Sequence, residues 1–206
     1  PYHAIRYQLL GATRDDAAGE AYDKVASLLG LGFPGGPRID SLARKSEGKQ
    51  EEEHSVLRFP RPMLGDSTLD FSFSGLKTAV LVYLQSIGVY DDDPLKSPLD
   101  RTGEMSSGVL EKICREFQNA VIDVLTQKAF RAVCQEGVRD LVVVGGVAAN
   151  GGLRNALIEM GGLENVRVHI PAIEYCTDNA VMIAAAGTPL LRPVSYTHLR
   201  AHETEA

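Results

Sequence analysis

The residues best suited to chemistry lie in Leu141-Val142-Val143-Val144-Gly145-Gly146-Val147-Ala148-Ala149-Asn150, followed by Gly151-Gly152-Leu153-Arg154. The apolar run predicts a buried strand, the glycine pair a sharp turn, and the segment beyond it a helix. In an open α/β sheet this layout delivers backbone N–H groups and the Asn150 side chain to the carboxyl end of a parallel strand, where such sheets bind ligands. Glycine lets the main chain come close to a phosphate or a nucleoside there. The chain therefore holds a candidate nucleotide pocket.

Four other stretches have residue types that suit such a pocket. In Asp16-Ala17-Ala18-Gly19-Glu20-Ala21-Tyr22-Asp23-Lys24, Glu20 and Asp23 lie three apart on one helix face, among small residues that permit close packing. A carboxylate there can accept two ribose hydroxyls; a capped surface helix with a Glu20–Lys24 ion pair fits the same spacing. Pro34-Gly35-Gly36-Pro37 offers bare backbone to a ring or sugar, and Asp40 follows Gly36 by one helical turn. A plain turn is the alternative. Ser72-Phe73-Ser74-Gly75-Leu76-Lys77-Thr78 places small residues at a helix amino terminus, where an anion would be welcome, with Ser74 as the expected cap. The glycine spacing of a P-loop is absent. In Cys176-Thr177-Asp178-Asn179-Ala180, Asp178 is either a helix cap or one ligand of a divalent metal.

The elements that must position these residues follow from hydrophobic spacing. Ala18, Ala21, Tyr22, Val25, Leu28 and Leu29 predict a helix over 17–29, stopped at Gly30. Pro37 suits the first position of a short helix carrying Ile39, Leu42 and Ala43. Residues 56–59 and 69–73 read as paired strands, and Ser74 caps a helix running from Gly75 to about Ile87. Val109, Ile113, Phe117, Ala120, Val121, Val124, Leu125 and Ala129 predict one long helix over 104–135. A helix over 153–160, a strand over 166–170 and a helix over 178–186 complete a strand–helix–strand–helix order, which implies parallel pairing. The charge run 44–54 and the stretch 88–103 with Asp91-Asp92-Asp93 read as solvated loops.

A formal charge of −6 argues against a simple basic nucleic-acid binder. No apolar run approaches the ~20 residues of a membrane span. Cys114, Cys134 and Cys176 lack metal spacing, and the first two share the long helix, so reduced thiols in a cytoplasmic setting are expected. The opening Pro1-Tyr2-His3-Ala4 has neither initiator Met nor signal-peptide pattern, which suggests a chain that begins mid-protein. Residues 193–206 have no packing pattern and are expected to be a non-native tail; residues 1–192 form the protein proper.

Taken in order, Asp15-to-Lys24, Pro34-Gly35-Gly36-Pro37, Phe71-to-Thr78, Gly145-to-Asn150 and Thr177-Asp178-Asn179-Ala180 resemble the TsaD family of tRNA adenosine threonylcarbamoyltransferases, over about Arg6 to Leu191. The resemblance implies an α/β, actin-like ATPase fold of the sugar kinase, Hsp70 and ribonuclease H-like kind, here incomplete. It implies transfer of a threonylcarbamoyl group from threonylcarbamoyl-adenylate to the exocyclic amine of the adenine following the anticodon, in tRNAs reading codons that begin with A. By matching motifs, Asp23 and Asp40 would contact the sugar of the adenylate, Gly36 would lie against the nucleoside, and Asn150 would hydrogen-bond it. Asp178 would ligate one divalent metal per subunit, iron by the family reading, with zinc or magnesium as alternatives. Partners implied are tRNA and, in bacteria, TsaB-like and TsaE-like subunits.

The family's paired metal-ligating histidines, an HxxxH motif, have no counterpart before Tyr7, and His198 and His202 fall on the wrong side of Asp178. The chain thus reads as a carboxyl-terminal portion, inactive alone. Three other readings are a sugar kinase of the same fold, a metallopeptidase (for which no HExxH is present), and a non-catalytic subunit-binding module using helix 17–29 or the long helix. No Lys/Arg cluster marks a tRNA path, so that partner rests on the resemblance.

Overall fold

The computed structural model describes residues 7–45, 57–90 and 105–191. Residues 46–54 of the charge run 44–54, the triple Asp at 91–93 and the tail with His198 and His202 lie outside the described residues. In chain order the elements are α1 (Ala18–Leu28), α2 (Gly35–Lys45), α3 (Ser74–Ser86), α4 (Ser107–Glu136), β1 (Asp140–Val142), α5 (Gly151–Glu164), β2 (Arg167–His169) and α6 (Ala180–Leu191). Short 3-10 turns, Gly146–Ala149 and Ile173–Tyr175, follow the two strands.

The long helix α4 is the spine. Ser106 caps it, its hydroxyl accepting from the Val109 N–H, and Gly137 ends it. Ile113, Cys114, Phe117, Val121 and Val124 are fully buried against Val25 of α1, Ile39 of α2, and Leu76, Val80 and Leu84 of α3. Tyr22 meets Phe117 edge-on, with centroids 5.1 Å apart. Each such large side chain contributes about 1.5–3 kcal/mol by burial. That exceeds the ~0.7 kcal/mol span of ordinary helix propensities, so packing on α4 fixes where α1 and α2 sit. A second cluster, Ile122, Phe130, Leu153 and Leu157, seats α5 and the sheet on the other end of α4.

β1 and β2 pair in parallel, Leu141 opposite Val168, as the strand–helix–strand order predicts. The apolar run 141–144 is not buried on both faces, however. Val142 and Val144 are 65% and 72% exposed. Leu141 and Val143 turn inward onto the second cluster, and nothing among the described residues covers the outward side.

The expected pairing of 56–59 with 69–73 does not form: residues 57–60 are irregular. Phe71 instead makes a single parallel bridge to Thr13, with Arg14 N–H to Phe71 O and Phe71 N–H to Ala12 O both at 2.9 Å. The physical reason lies in α4. Lys128, 1% exposed, donates to the carbonyls of Thr68 and Asp70, and Arg131 takes those of Leu64 and Asp66. Acceptors that a hairpin would use are already bound.

Ser74 is not a cap but the first residue of α3. Its terminus is closed by Asp15, 59 residues earlier, whose carboxylate accepts from the Phe73 and Ser74 N–H groups and from the Ser72 and Ser74 hydroxyls. Burial works to raise Asp15, but these hydrogen bonds outweigh it and hold the carboxyl well below the usual range. The anion expected at this helix terminus is therefore the protein's own.

Candidate functional site

The loop after β1 breaks the strand as its glycines predict. Gly145 adopts φ +93°, a backbone conformation that side chains avoid. The chain then turns through Gly146–Ala149 and enters α5, capped by Asn150, whose Oδ1 accepts from the Leu153 N–H at 2.9 Å. Across from this loop stand α1 and α2. Asp23 joins them: its Oδ1 accepts from the Gly35 N–H at 2.8 Å, so α2 begins at Gly35, two residues before Pro37. Gly35 is the contact point. A Cβ there would sit 2.6 Å from the Tyr22 carbonyl oxygen and 2.6 Å from the Ala26 Cβ. At Gly36, one residue on, a Cβ would meet nothing within 4 Å.

Between the two walls lies a cleft of about 960 Å³, large enough for a nucleotide-sized ligand. Asp23, Gly36, Asp40 and Asn150 all line it, as do Gly146 and Val147. Four residues singled out from distant parts of the sequence thus face one cavity. Asp178 does not line it; its neighbour Thr177 does. Glu20 leaves the cleft to pair with Lys24 at 2.8 Å, so of the two acidic residues on α1 only Asp23 lines the cavity.

The polar groups of the cleft are tied together from behind. Asp40, 6% exposed, pairs with Arg44 and accepts from the Gln118 Nε2 at 3.1 Å. The Gln118 Oε1 accepts from the Asn150 Nδ2 at 2.7 Å. The Tyr22 hydroxyl lies 3.5 Å from both amide groups. Burial first, and then the Asp40 charge, push the Tyr22 phenol up, which keeps it neutral and a hydrogen-bond donor. Gln118 escapes sequence reasoning because it reads as one polar residue in a long helix. The available signal is its place between Cys114, Val121 and Ile122, which makes it a polar residue on a buried face.

Arg154 is the other residue without a role in the sequence reading. Its guanidinium donates to the Ala148 carbonyl and the Pro171 carbonyl, both at 2.8 Å, and lies 3.7 Å from the Cys176 Sγ. It therefore joins the loop after β1 to the loop after β2. Asp178 follows on that second loop and is exposed. It is not the α6 cap: Asn179 takes that place, its Oδ1 accepting from the Met182 N–H at 3.0 Å. Among the described residues no group of three or more His, Cys, Asp or Glu could hold a metal ion. One exposed carboxylate is too small a donor set for a divalent cation, which takes four or more ligands. The thiols are not reactive candidates in the cleft. Cys114 is pushed up to about 12 by burial and then by Glu111, and Cys176 is buried.

Fold and cleft define an α/β protein that presents a ligand cavity at the carboxyl end of a parallel strand, walled by helix termini and bare glycine backbone. The sequence model of the TsaD family, described as tRNA N6-adenosine threonylcarbamoyltransferase, matches residues 2–185. Relatives from Geotalea uraniireducens, Trichlorobacter lovleyi and Thermosipho africanus, each named tRNA N6-adenosine threonylcarbamoyltransferase, are 48%, 46% and 43% identical over 182, 186 and 185 residues. Those matches cover 88%, 90% and 90% of this chain, and 47%, 48% and 49% of the relatives. This chain belongs to the TsaD family, and it spans about half the length of the curated relatives it matches.

Proposed function

We propose that this chain supplies the nucleoside-binding part of the adenylate cleft of a tRNA N6-adenosine threonylcarbamoyltransferase with an actin-like ATPase fold. In the whole protein that cleft would take threonylcarbamoyl-adenylate and pass its acyl group to the exocyclic amine of the adenine following the anticodon. The observation that carries this reading is the convergence of Asp23, Gly36, Asp40 and Asn150 on one cavity of nucleotide size.

The chemistry available to these residues is binding and orientation. Among the described residues Asp23 uses only Oδ1 within the protein, which leaves Oδ2 as an acceptor for a ribose hydroxyl. Gly36 offers a flat patch of backbone against which a sugar or base can lie. The Asn150 Nδ2 is committed to Gln118 and its Oδ1 caps α5, so what it offers a ligand is the second lone pair of Oδ1. Held in this way, the mixed anhydride presents its carbonyl to the incoming amine in a fixed direction, an entropic contribution that needs no covalent help.

Asp178 is proposed as one ligand of a divalent ion, iron by the family reading, with zinc or magnesium as alternatives. Among the described residues no group of three or more His, Cys, Asp or Glu completes such a site, so no step of the transfer is assigned to an ion. TsaB-like and TsaE-like subunits and tRNA are proposed as partners of the whole protein. Phosphate contacts would make its tRNA affinity fall steeply with salt. No helix among the described residues is long and apolar enough to cross a membrane.

The test is calorimetric titration of adenosine 5′-monophosphate into the intact protein and into its Asp23→Ala variant. Saturable binding that weakens at least tenfold in the variant supports the reading. Unchanged affinity overturns it.

A further inference from the structure

We propose that Gln118 is a positioning residue of the cleft: a buried amide on α4 that holds Asp40 and Asn150, one from each wall, in a single hydrogen-bonded register. The proposal rests on the adenylate reading of the cleft and assigns a role to a residue that does not itself line it.

Gln118 is 4% exposed and leaves the apolar stripe of α4 between Phe117 and Val121, both fully buried. A polar group is tolerated there only if its hydrogen bonds are made. It makes them with opposite polarity at its two ends. Nε2 donates to the Asp40 Oδ1 at 3.1 Å, and Oε1 accepts from the Asn150 Nδ2 at 2.7 Å. Reversing the amide would set an N–H₂ against the Asn150 N–H₂ and a carbonyl against the Asp40 carboxylate. The network therefore admits one orientation, and it dictates which atom of Asn150 faces inward. With Nδ2 held by Gln118, Oδ1 is left to cap α5 and to meet the ligand. Close packing enforces the arrangement: a Cβ on Gly152 would lie 3.0 Å from the Gln118 Nε2 and 2.8 Å from the Ile122 Cδ1.

The charged and titratable groups around this amide include Asp40 and its ion-pair partner Arg44 on α2, Tyr22 on α1, and, one and two turns earlier on α4, Cys114 and the buried Glu111. The α5 cap contributes Asn150, which carries no charge. Gln118→Glu is nearly isosteric. With the introduced carboxyl protonated, its O–H donates to Asp40 and its C=O accepts from Asn150, reproducing the native pattern. With that carboxyl ionised, two carboxylates face each other at hydrogen-bond distance, which is unfavourable in a buried place. The introduced group thus has its folded pKa raised above the unfolded value. Its cost to stability grows as pH rises from about 4 toward the raised value, while the folded protein keeps the protonated, native-like register until pH passes that value.

The experiment titrates adenosine 5′-monophosphate into the intact protein, wild type, Gln118→Glu and Gln118→Leu, from pH 5 to pH 8, with a thermal melt at each pH. We expect the wild-type affinity to be nearly flat and that of Gln118→Glu to approach it at pH 5 and fall at least tenfold by pH 8. Gln118→Leu should be weakened at least tenfold at every pH. If Gln118→Leu does not fold, the pH-dependent recovery of Gln118→Glu decides alone, since a merely space-filling role would not be restored by a proton. Wild-type binding with both variants matching it at all pH overturns the positioning role and leaves the adenylate reading standing. Failure of the wild type to bind overturns the adenylate reading itself.

Discussion

Gly36→Ala is expected to make the protein more stable and its cleft worse. The two adjacent glycines of α2 have opposite surroundings. At Gly36 an added Cβ meets nothing within 4 Å, and the position is helical. Replacing glycine by alanine where the backbone already suits alanine stabilises by about 0.4–1 kcal/mol, chiefly by restricting the unfolded chain. For a domain of this size that raises Tm by about 1–4 °C. The same methyl projects into the cavity where a nucleoside would rest on bare backbone. Forcing an extra methyl into a packed contact costs about 1–3 kcal/mol, which is a loss of roughly 5–150-fold in affinity. Gly35→Ala behaves differently. Its Cβ would meet the Tyr22 carbonyl oxygen and the Ala26 Cβ at 2.6 Å, so α1 and α2 must separate and stability should fall by about 1–3 kcal/mol or more. Thermal melts and nucleotide titration of the two variants in the intact protein check this. If Gly36→Ala destabilised as Gly35→Ala does, or bound adenosine 5′-monophosphate as the wild type does, the assignment of that patch to a ligand would be refuted.

Asp15→Ala removes the carboxylate that closes α3 and should cost about 1–2 kcal/mol at pH 7. Because the Asp15 carboxyl is held low in the folded state, its stabilisation is present above about pH 4 and is lost as pH falls toward its folded value. The gap between variant and wild type in urea unfolding should therefore shrink in acid; a gap that persists at pH 2 would contradict the capping role. Arg154→Ala breaks the tie between the loops after β1 and β2, two hydrogen bonds from a charged donor worth about 1.5–3 kcal/mol each. In a Cys134→Ser background, Cys176, now 3% exposed, should then react with a thiol reagent at least tenfold faster; an unchanged rate would count against the clamp. Transfer activity is expected to be undetectable for the 206-residue chain alone, since among the described residues no group of three or more His, Cys, Asp or Glu could hold a metal ion. Robust threonylcarbamoyl transfer to tRNA by the purified chain would refute that.

The parts of this molecule that can be read from the sequence are those in which one segment carries its own signal. The helix around Val25 and the long helix around Phe117 repeat at helical spacing over several turns, and both lie within three residues of their expected bounds. The strand at Leu141 pairs in parallel with that at Val168 because a helix intervenes. The cleft was legible in part: Gly36 and Asn150 stand where small residues open α2 and α5, and Asp40 follows Gly36 by one helical turn, whereas Asp23 lies inside α1. What could not be read depends on partners far along the chain. The carbonyls near Asp70 are taken by Lys128, 58 residues on, so an alternating segment never becomes a hairpin strand. Ser74 has the composition of a cap, yet Asp15 does the capping. Gln118 shows its significance only once Asp40 and Asn150 are brought to its two ends.

The most direct test of the central claim is residue-resolved: backbone amide shifts of the isotope-labelled intact protein, followed by NMR while adenosine 5′-monophosphate is added. Saturable perturbation of Asp23, Gly35, Gly36, Gly146 and Asn150 together, with the α3 terminus at Phe73 and Ser74 unmoved, is the predicted result. Perturbation centred elsewhere, or none at saturating nucleotide, would contradict the account.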